Sequence, residues 1–157
     1  MKLELAEIVK RLKAHGPEHE IQLLELCKLP LQYLDCGQYR RVYKIVDTAY
    51  VIKVPIEYGV EHSAAEIKAL KRLQKTEIAS VLPTFHYSNR NTGIILTDFC
   101  KTGLLPQFKL NKRVIYEWAK ENGYADSDTE PEKWDNYGTL NGKLKLLDLG
   151  CFTKGGC

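Results

Sequence analysis

Lys143-Leu144-Lys145-Leu146-Leu147-Asp148-Leu149-Gly150 alternates a basic with an apolar residue and then turns wholly apolar. That is the pattern of a half-buried strand. Asn141-Gly142 immediately before it is a hairpin turn signal. Asp135-Asn136-Tyr137-Gly138 therefore leads into the partner strand, and an Asn and an Asp, Asn136 and Asp148, lie at the two ends of one small hairpin. An acid just after a buried strand, with an Asn nearby, suits a divalent cation held by oxygen ligands. The competing reading is a plain turn, the commoner fate of Asp-x-Gly after a strand.

The 157 residues form one domain, or one domain with an appendage, and 44% hydrophobic with 27% charged residues is ordinary for a globular chain. A net charge of +3 is too mild to argue for nucleic acid. No apolar run is long enough for a membrane helix, and the first residues are not a signal peptide. The five cysteines, Cys27, Cys36, Cys100, Cys151 and Cys157, show no C-x-x-C spacing. They read as reduced thiols in a cytoplasmic protein.

Upstream of the hairpin, residues 111–122 predict a helix with Val114, Ile115, Trp118 and Ala119 inward, ended by Asn122-Gly123. An acidic loop containing Asp126, Asp128, Glu130 and Glu132 separates it from the hairpin. Further back lie two predicted strands, 81–87 and 93–99, joined by a turn at 89–92. Ile94-Ile95-Leu96 reads as a central strand, and residues 101–106 as a linker. A helix over about 61–75 carries Ile67, Leu70 and Leu73 on one side, with Glu66 at the edge of that stripe. Three antiparallel strands precede it, at 31–37, 41–46 and 50–54. Lys53 interrupts the apolar run Tyr50-Val51-Ile52-Lys53-Val54. Buried, it needs an anionic partner or ligand; on an edge strand it simply faces water. Residues 2–14 and 19–28 carry helical stripes, Leu5, Ile8, Val9, Leu12 and then Ile21, Leu24, Cys27. They either cover the core or dock a partner.

Three antiparallel strands, a helix, two strands, a linker, a helix and an Asn/Asp hairpin is the order of the protein kinase fold. Leu34-Asp35-Cys36-Gly37-Gln38-Tyr39-Arg40-Arg41-Val42-Tyr43-Lys44 resembles the kinase glycine-rich loop, with Gly37 kept and Asp35 and Arg40 in place of the outer glycines. Val51-Ile52-Lys53 resembles the strand bearing the phosphate-binding lysine. Glu66 falls where the helix glutamate pairs that lysine. Thr97 resembles the gatekeeper, and Asp98-Phe99-Cys100 the hinge that bonds adenine through backbone groups. Asn136 and Asp148, in Asp148-Leu149-Gly150, match the two magnesium ligands. The resemblance covers about residues 31–152 and implies ATP and magnesium as ligands. It implies an α+β fold: a five-stranded antiparallel kinase-like N-lobe sheet with one packed helix, a reduced C-lobe of one helix and a terminal β-hairpin, and an N-terminal helical preface. The corresponding boundaries are 1–30, 31–100 and 101–157.

Two departures bear on activity. In the catalytic-loop motif the Asp precedes the metal-binding Asn by five residues, and that position here is Pro131. A displaced base would have to come from Asp128 or Glu130, or from Asp126 if the loop folded back. The sequence also runs on only seven residues past Gly150, so an activation segment and the later helices of a large lobe are not expected. The compact outline resembles small kinase-like proteins such as those of phage genomes. The expected function is thus that of a pseudokinase that binds a protein partner, or its own copy, at the face left by the reduced C-lobe, with weak ATP binding. The alternatives are a minimal phosphotransferase with a displaced base, and an α+β interaction domain that binds no nucleotide. Neither nucleic acid nor membrane is expected as a partner.

Overall fold

The structure, a computed structural model, describes residues 3–14, 27–56, 58–102, 109–123 and 137–147. It divides into two compact units, Met1–Ala64 with Thr84–Phe99, and Ala65–Pro83 with Cys100–Cys157. The architecture is the α+β arrangement expected: among the described residues, a five-stranded antiparallel sheet, three helices and a small hairpin. No helix among the described residues is long and apolar enough to cross a membrane.

The first unit is built on strands β1 (Leu31–Cys36), β2 (Arg40–Ile45), β3 (Tyr50–Pro55), β4 (Phe85–Asn89) and β5 (Ile94–Asp98). They are ordered β1-β2-β3-β5-β4, every pair antiparallel. β3 is therefore central, which removes the edge-strand reading of Lys53. β5 is central too, as its β-branched run predicts. Register separates the faces, since side chains alternate along a strand. Tyr43, Ile52, Leu96 and Tyr87 share one row across β2, β3, β5 and β4. That face is apolar and closes under helix α1 (Leu5–Lys13), whose Ile8 and Leu12 join Ile45, Ile52, Val54, Ile94 and Leu96 in one core.

Helix α1 forms for local reasons as well. Its apolar stripe faces the sheet, Glu7 lies in the first turn, and Lys10, Arg11 and Lys13 lie in the last, as the helix dipole favours. The Arg11 guanidinium also bonds Glu7 one turn back at 2.9 Å and donates to the Lys28 carbonyl at 2.9 Å. This helix covers core, as one of the two expectations for it had it. Most of the second predicted N-terminal helix lies outside the described residues.

Helix α2 (Val60–Leu73) starts in the first unit and continues into the second. Ser63, Glu66, Ile67, Ala69, Leu70 and Leu73 are its buried positions, so Glu66 lies within the apolar stripe rather than beside it.

The second unit holds the remainder of α2, a 3-10 turn at Glu77–Val81, helix α3 (Lys109–Glu121), and strands β6 (Tyr137–Leu140) and β7 (Lys143–Leu146). The strand expected over 81–87 is corrected: 77–81 is helical and pairing begins only at Phe85. Pro83 lies between the two, and proline has no N–H for a ladder bond. Helix α3 is also corrected at one position. Ile115 and Ala119 are buried, but Val114 is 60% exposed, one position round the helix from the packed side. The turn of the hairpin is as expected, with Asn141 at φ 50° and Gly142 at φ 73°, the left-handed pair that such tight turns require. Along β7, Lys143 is exposed, Leu144 buried, Lys145 half-buried and Leu146 buried, so the alternation in the sequence is a true face pattern.

Candidate functional site

The sheet face opposite α1 carries the charged side chains of the candidate site. One row across it runs Asp35, Val42, Lys53, Ile95, Ser88. The next row on that face runs Gln32, Lys44, Val51, Thr97, Phe85. Lys53 is 8% exposed, between Val42 and Ile95. A lysine is almost never so buried unless its charge is matched. Lys53 does engage other groups of the protein, as does the fully buried Glu66 on α2.

Two residues before Val42, on the same face, Arg40 is 5% exposed. It is the replacement for the last glycine of the loop pattern, and it is not a surface side chain. Lys44, two residues after Val42, lies with its Nζ 4.7 Å from the centre of the Phe99 ring, a cation–π contact. The period of two along β2, Arg40, Val42, Lys44, was the signal in the sequence that aligned these cations with Lys53.

The loop between β1 and β2 is held at its tip. The Gly37 N–H donates to the Arg40 carbonyl at 2.9 Å, closing the turn over Gln38 and Tyr39. The Tyr39 ring stacks on His62 of α2, centroids 4.2 Å apart and planes within 18°. The Tyr39 carbonyl accepts from the Ile56 N–H at 3.0 Å and passes so close to Gly59 that a Cβ there would overlap it. Gly37 itself takes no left-handed φ, and a Cβ on it would meet only the Arg40 carbonyl, at 3.8 Å.

At the far end of β5, Thr97 is buried and its Oγ1 donates to the Asp98 carbonyl at 3.2 Å. The Asp98 carboxylate accepts from the Thr84 N–H at 3.0 Å and meets His86 Nε2 at 2.8 Å. Burial pushes this carboxyl up, but the bonds from His86 and Thr84 outweigh it and hold it below the usual carboxylate range. Tyr50 sets its ring edge-on to His86, centroids 4.9 Å apart. The Phe99 N–H donates to the Ala49 carbonyl at 2.8 Å. Sequence reasoning missed this cluster, since nothing along the chain joins His86 to Asp98 across two strands.

In the second unit, Cys100 is buried and is followed by Lys101, which pairs with Thr139 of β6 through two backbone bonds of 3.0 and 2.8 Å. Lys145 Nζ donates to the Ser80 carbonyl at 2.9 Å and the Leu82 carbonyl at 3.0 Å, fastening β7 to the end of the 3-10 turn. Among the described residues, Cys27, Cys36 and Cys100 take part in no disulfide.

Of the site residues expected from sequence, Gly37, Lys53, Thr97 and Asp98 belong to the first unit and Glu66 and Cys100 to the second. Lys53 and Thr97 share the face opposite α1, in adjacent rows. Asn136 and Asp148, with Asp126, Asp128, Glu130 and Pro131, lie outside the described residues.

The chain matches no protein-family model and no curated protein. Among solved structures it is similar to that of the streptomycin–ATP–APH(2")-IIa ternary complex, at 20% identity and a TM-score of 0.40. That similarity covers 73% of this chain and 38% of the other, so the chain spans well under half the length of the structure it matches.

Proposed function

We propose that this chain is a kinase-like protein without phosphoryl transfer, one that binds a protein partner and holds ATP weakly as a ligand. The observation that carries the nucleotide half is Lys53, buried at 8% exposure in the central strand on the charged face of the sheet. An ammonium group in that setting is suited to phosphate oxygens. Thr97 and the Asp98 backbone are assigned to the adenine end, at the other end of the same strand system. Magnesium is assigned to Asn136 and Asp148 on the strength of their motifs. Pro131, in the position of the catalytic Asp, supports the loss of transfer, because proline has no group that can accept a proton from a substrate hydroxyl. For the partner, support comes from β1. It is an edge strand, and it exposes Tyr33 and Leu34 side by side. Exposed apolar residues on an unpaired edge favour association.

A thermal-shift titration with ATP and magnesium tests the nucleotide half, since a ligand that binds only the folded state must raise Tm. A dose-dependent rise in the wild type, lost in Lys53→Gln, is the expected result. No rise at millimolar ATP refutes nucleotide binding. Incubation with labelled ATP tests the other half, and phosphate transfer abolished by Asp148→Ala would refute the absence of catalysis.

A further inference from the structure

We infer that Arg40 and Lys53 together form a two-cation site for the polyphosphate of a nucleotide, with Arg40 a phosphate ligand in its own right. The inference deepens the proposed nucleotide binding and rests on that reading for the adenosine part only. Arg40 pairs with Pro55 while Val42 pairs with Lys53, so Arg40 and Lys53 are diagonal neighbours on one face. Diagonal positions on adjacent antiparallel strands are about 7–8 Å apart, within reach of long side chains. A phosphate chain can be gripped from both sides at that spacing.

Both residues are buried, at 5% and 8% exposure. Both engage other groups of the protein, and a phosphate between them would further offset the repulsion of two like charges in a poorly hydrated place. An arginine offers five N–H donors and a lysine three, so partners within the protein leave donors for phosphate oxygens. The guanidinium fork also suits phosphate in a bidentate way.

The loop explains why side chains have to do this work. The Gly37 N–H, the backbone donor best placed at its tip, is already bonded to the Arg40 carbonyl. That same bond fixes the backbone of Arg40 beside the turn, and the Tyr39–His62 stack holds the tip in place. The other charges on this face are Lys44, engaged with Phe99, and Asp35. Asp35 stands at the exposed edge, and its carboxylate accepts from the Cys36 N–H at 2.8 Å. Cations thus occupy the inner part of the face, and the acid its rim.

The test is calorimetric titration of the full chain with tripolyphosphate and, separately, with magnesium ATP. The wild type is expected to bind both. Arg40→Gln should weaken tripolyphosphate about tenfold or more, the loss of one charge-assisted contact, and Lys53→Gln should do the same. Arg40→Gly separates this role from the opposite one: if the guanidinium blocks the face instead, removing it tightens binding, and the inference is overturned. Unchanged affinity in Arg40→Gln overturns it as well, and so does a wild type that binds no tripolyphosphate. Tripolyphosphate binding without ATP binding would sink the nucleotide reading and leave the anion site standing. ATP binding indifferent to Arg40 would do the reverse. Should Arg40→Gln fail to fold, the Arg40 side-chain Nε–H resonance of the wild type, assigned with Arg40→Lys, must move on adding tripolyphosphate; a static resonance overturns the inference.

Discussion

Lys145→Met offers a sharp test of how the terminal hairpin is held. The wild-type ammonium donates to two carbonyls, Ser80 at 2.9 Å and Leu82 at 3.0 Å. Methionine keeps most of the apolar stem and removes both bonds. A hydrogen bond with a charged partner contributes about 1.5–3 kcal/mol when sheltered. The Ser80 bond is exposed, and water replaces most of it; the Leu82 bond is partly buried and its acceptor belongs to a buried residue. The sum is then about 2 kcal/mol, most of it from Leu82. For a chain of this size that lowers Tm by about 4–8 °C. Urea unfolding followed by circular dichroism measures it as a lower midpoint at unchanged slope. Lys143→Met is the control, because Lys143 is on the same strand and exposed, and it should change stability by less than about 0.5 kcal/mol. If both variants unfold at the wild-type midpoint, the fastening is not there and the reasoning fails.

Ile8→Ala should cost about 2–5 kcal/mol, because Ile8 is fully buried in the core under the sheet; a loss below about 1 kcal/mol in chemical denaturation would mean that α1 is dispensable. Asp98, whose carboxyl is held below its ordinary value, contributes stability above about pH 4, lost as the pH falls through its lowered folded value. Asp98→Asn should therefore flatten the acid limb of a stability-against-pH curve, and an unchanged limb would refute the role of the His86–Thr84 bonds. Gly37→Ala should leave both Tm and ATP affinity near wild type, since Gly37 needs no left-handed φ and its N–H is used inside the turn; a tenfold loss of affinity would show that the backbone, not Arg40, meets the phosphate.

The elements whose signals are local were legible in the sequence. Asn141-Gly142 named its own turn, Lys143 to Leu146 named its faces, and the run of β-branched residues at 94–95 named a central strand. Signals that depend on packing from two sides were not. Val114 belongs to a helix whose stripe is narrower than its apolar content suggests, so counting apolar residues overfilled the buried side. Leu82-Pro83 reads as the start of a strand, yet the chain spends 77–81 in a 3-10 turn whose neighbouring carbonyls Lys145 then satisfies, a contact 63 residues away along the chain. For the site, the lysine in β3 stood out because a charge broke an apolar run. Arg40 was legible only as the replacement for a glycine of the loop pattern; strand ends are usually wet, and its burial shows only in the structure.

The two faces of the sheet differ in chemistry. One is apolar across β2, β3, β5 and β4 and is closed by the chain's own α1. The other carries Arg40, Lys44 and Lys53, side chains that contribute less to a core than leucine would and cost more to bury. Arg40 and Lys53 engage other groups of the protein, and the proposed nucleotide adds an anion to those partners. Such binding needs no turnover, so it does not depend on a general base. A ligand present at ten times its Kd stabilises the folded state by about 1.4 kcal/mol, a sizeable part of a domain's margin. If ATP binds as proposed, even weakly, it adds to the stability of the folded protein in this way. If so, Lys53→Gln should gain nothing in Tm when ATP is added, whatever its Tm without nucleotide. A variant that still gains the full ATP increment would show that the charged face serves something else.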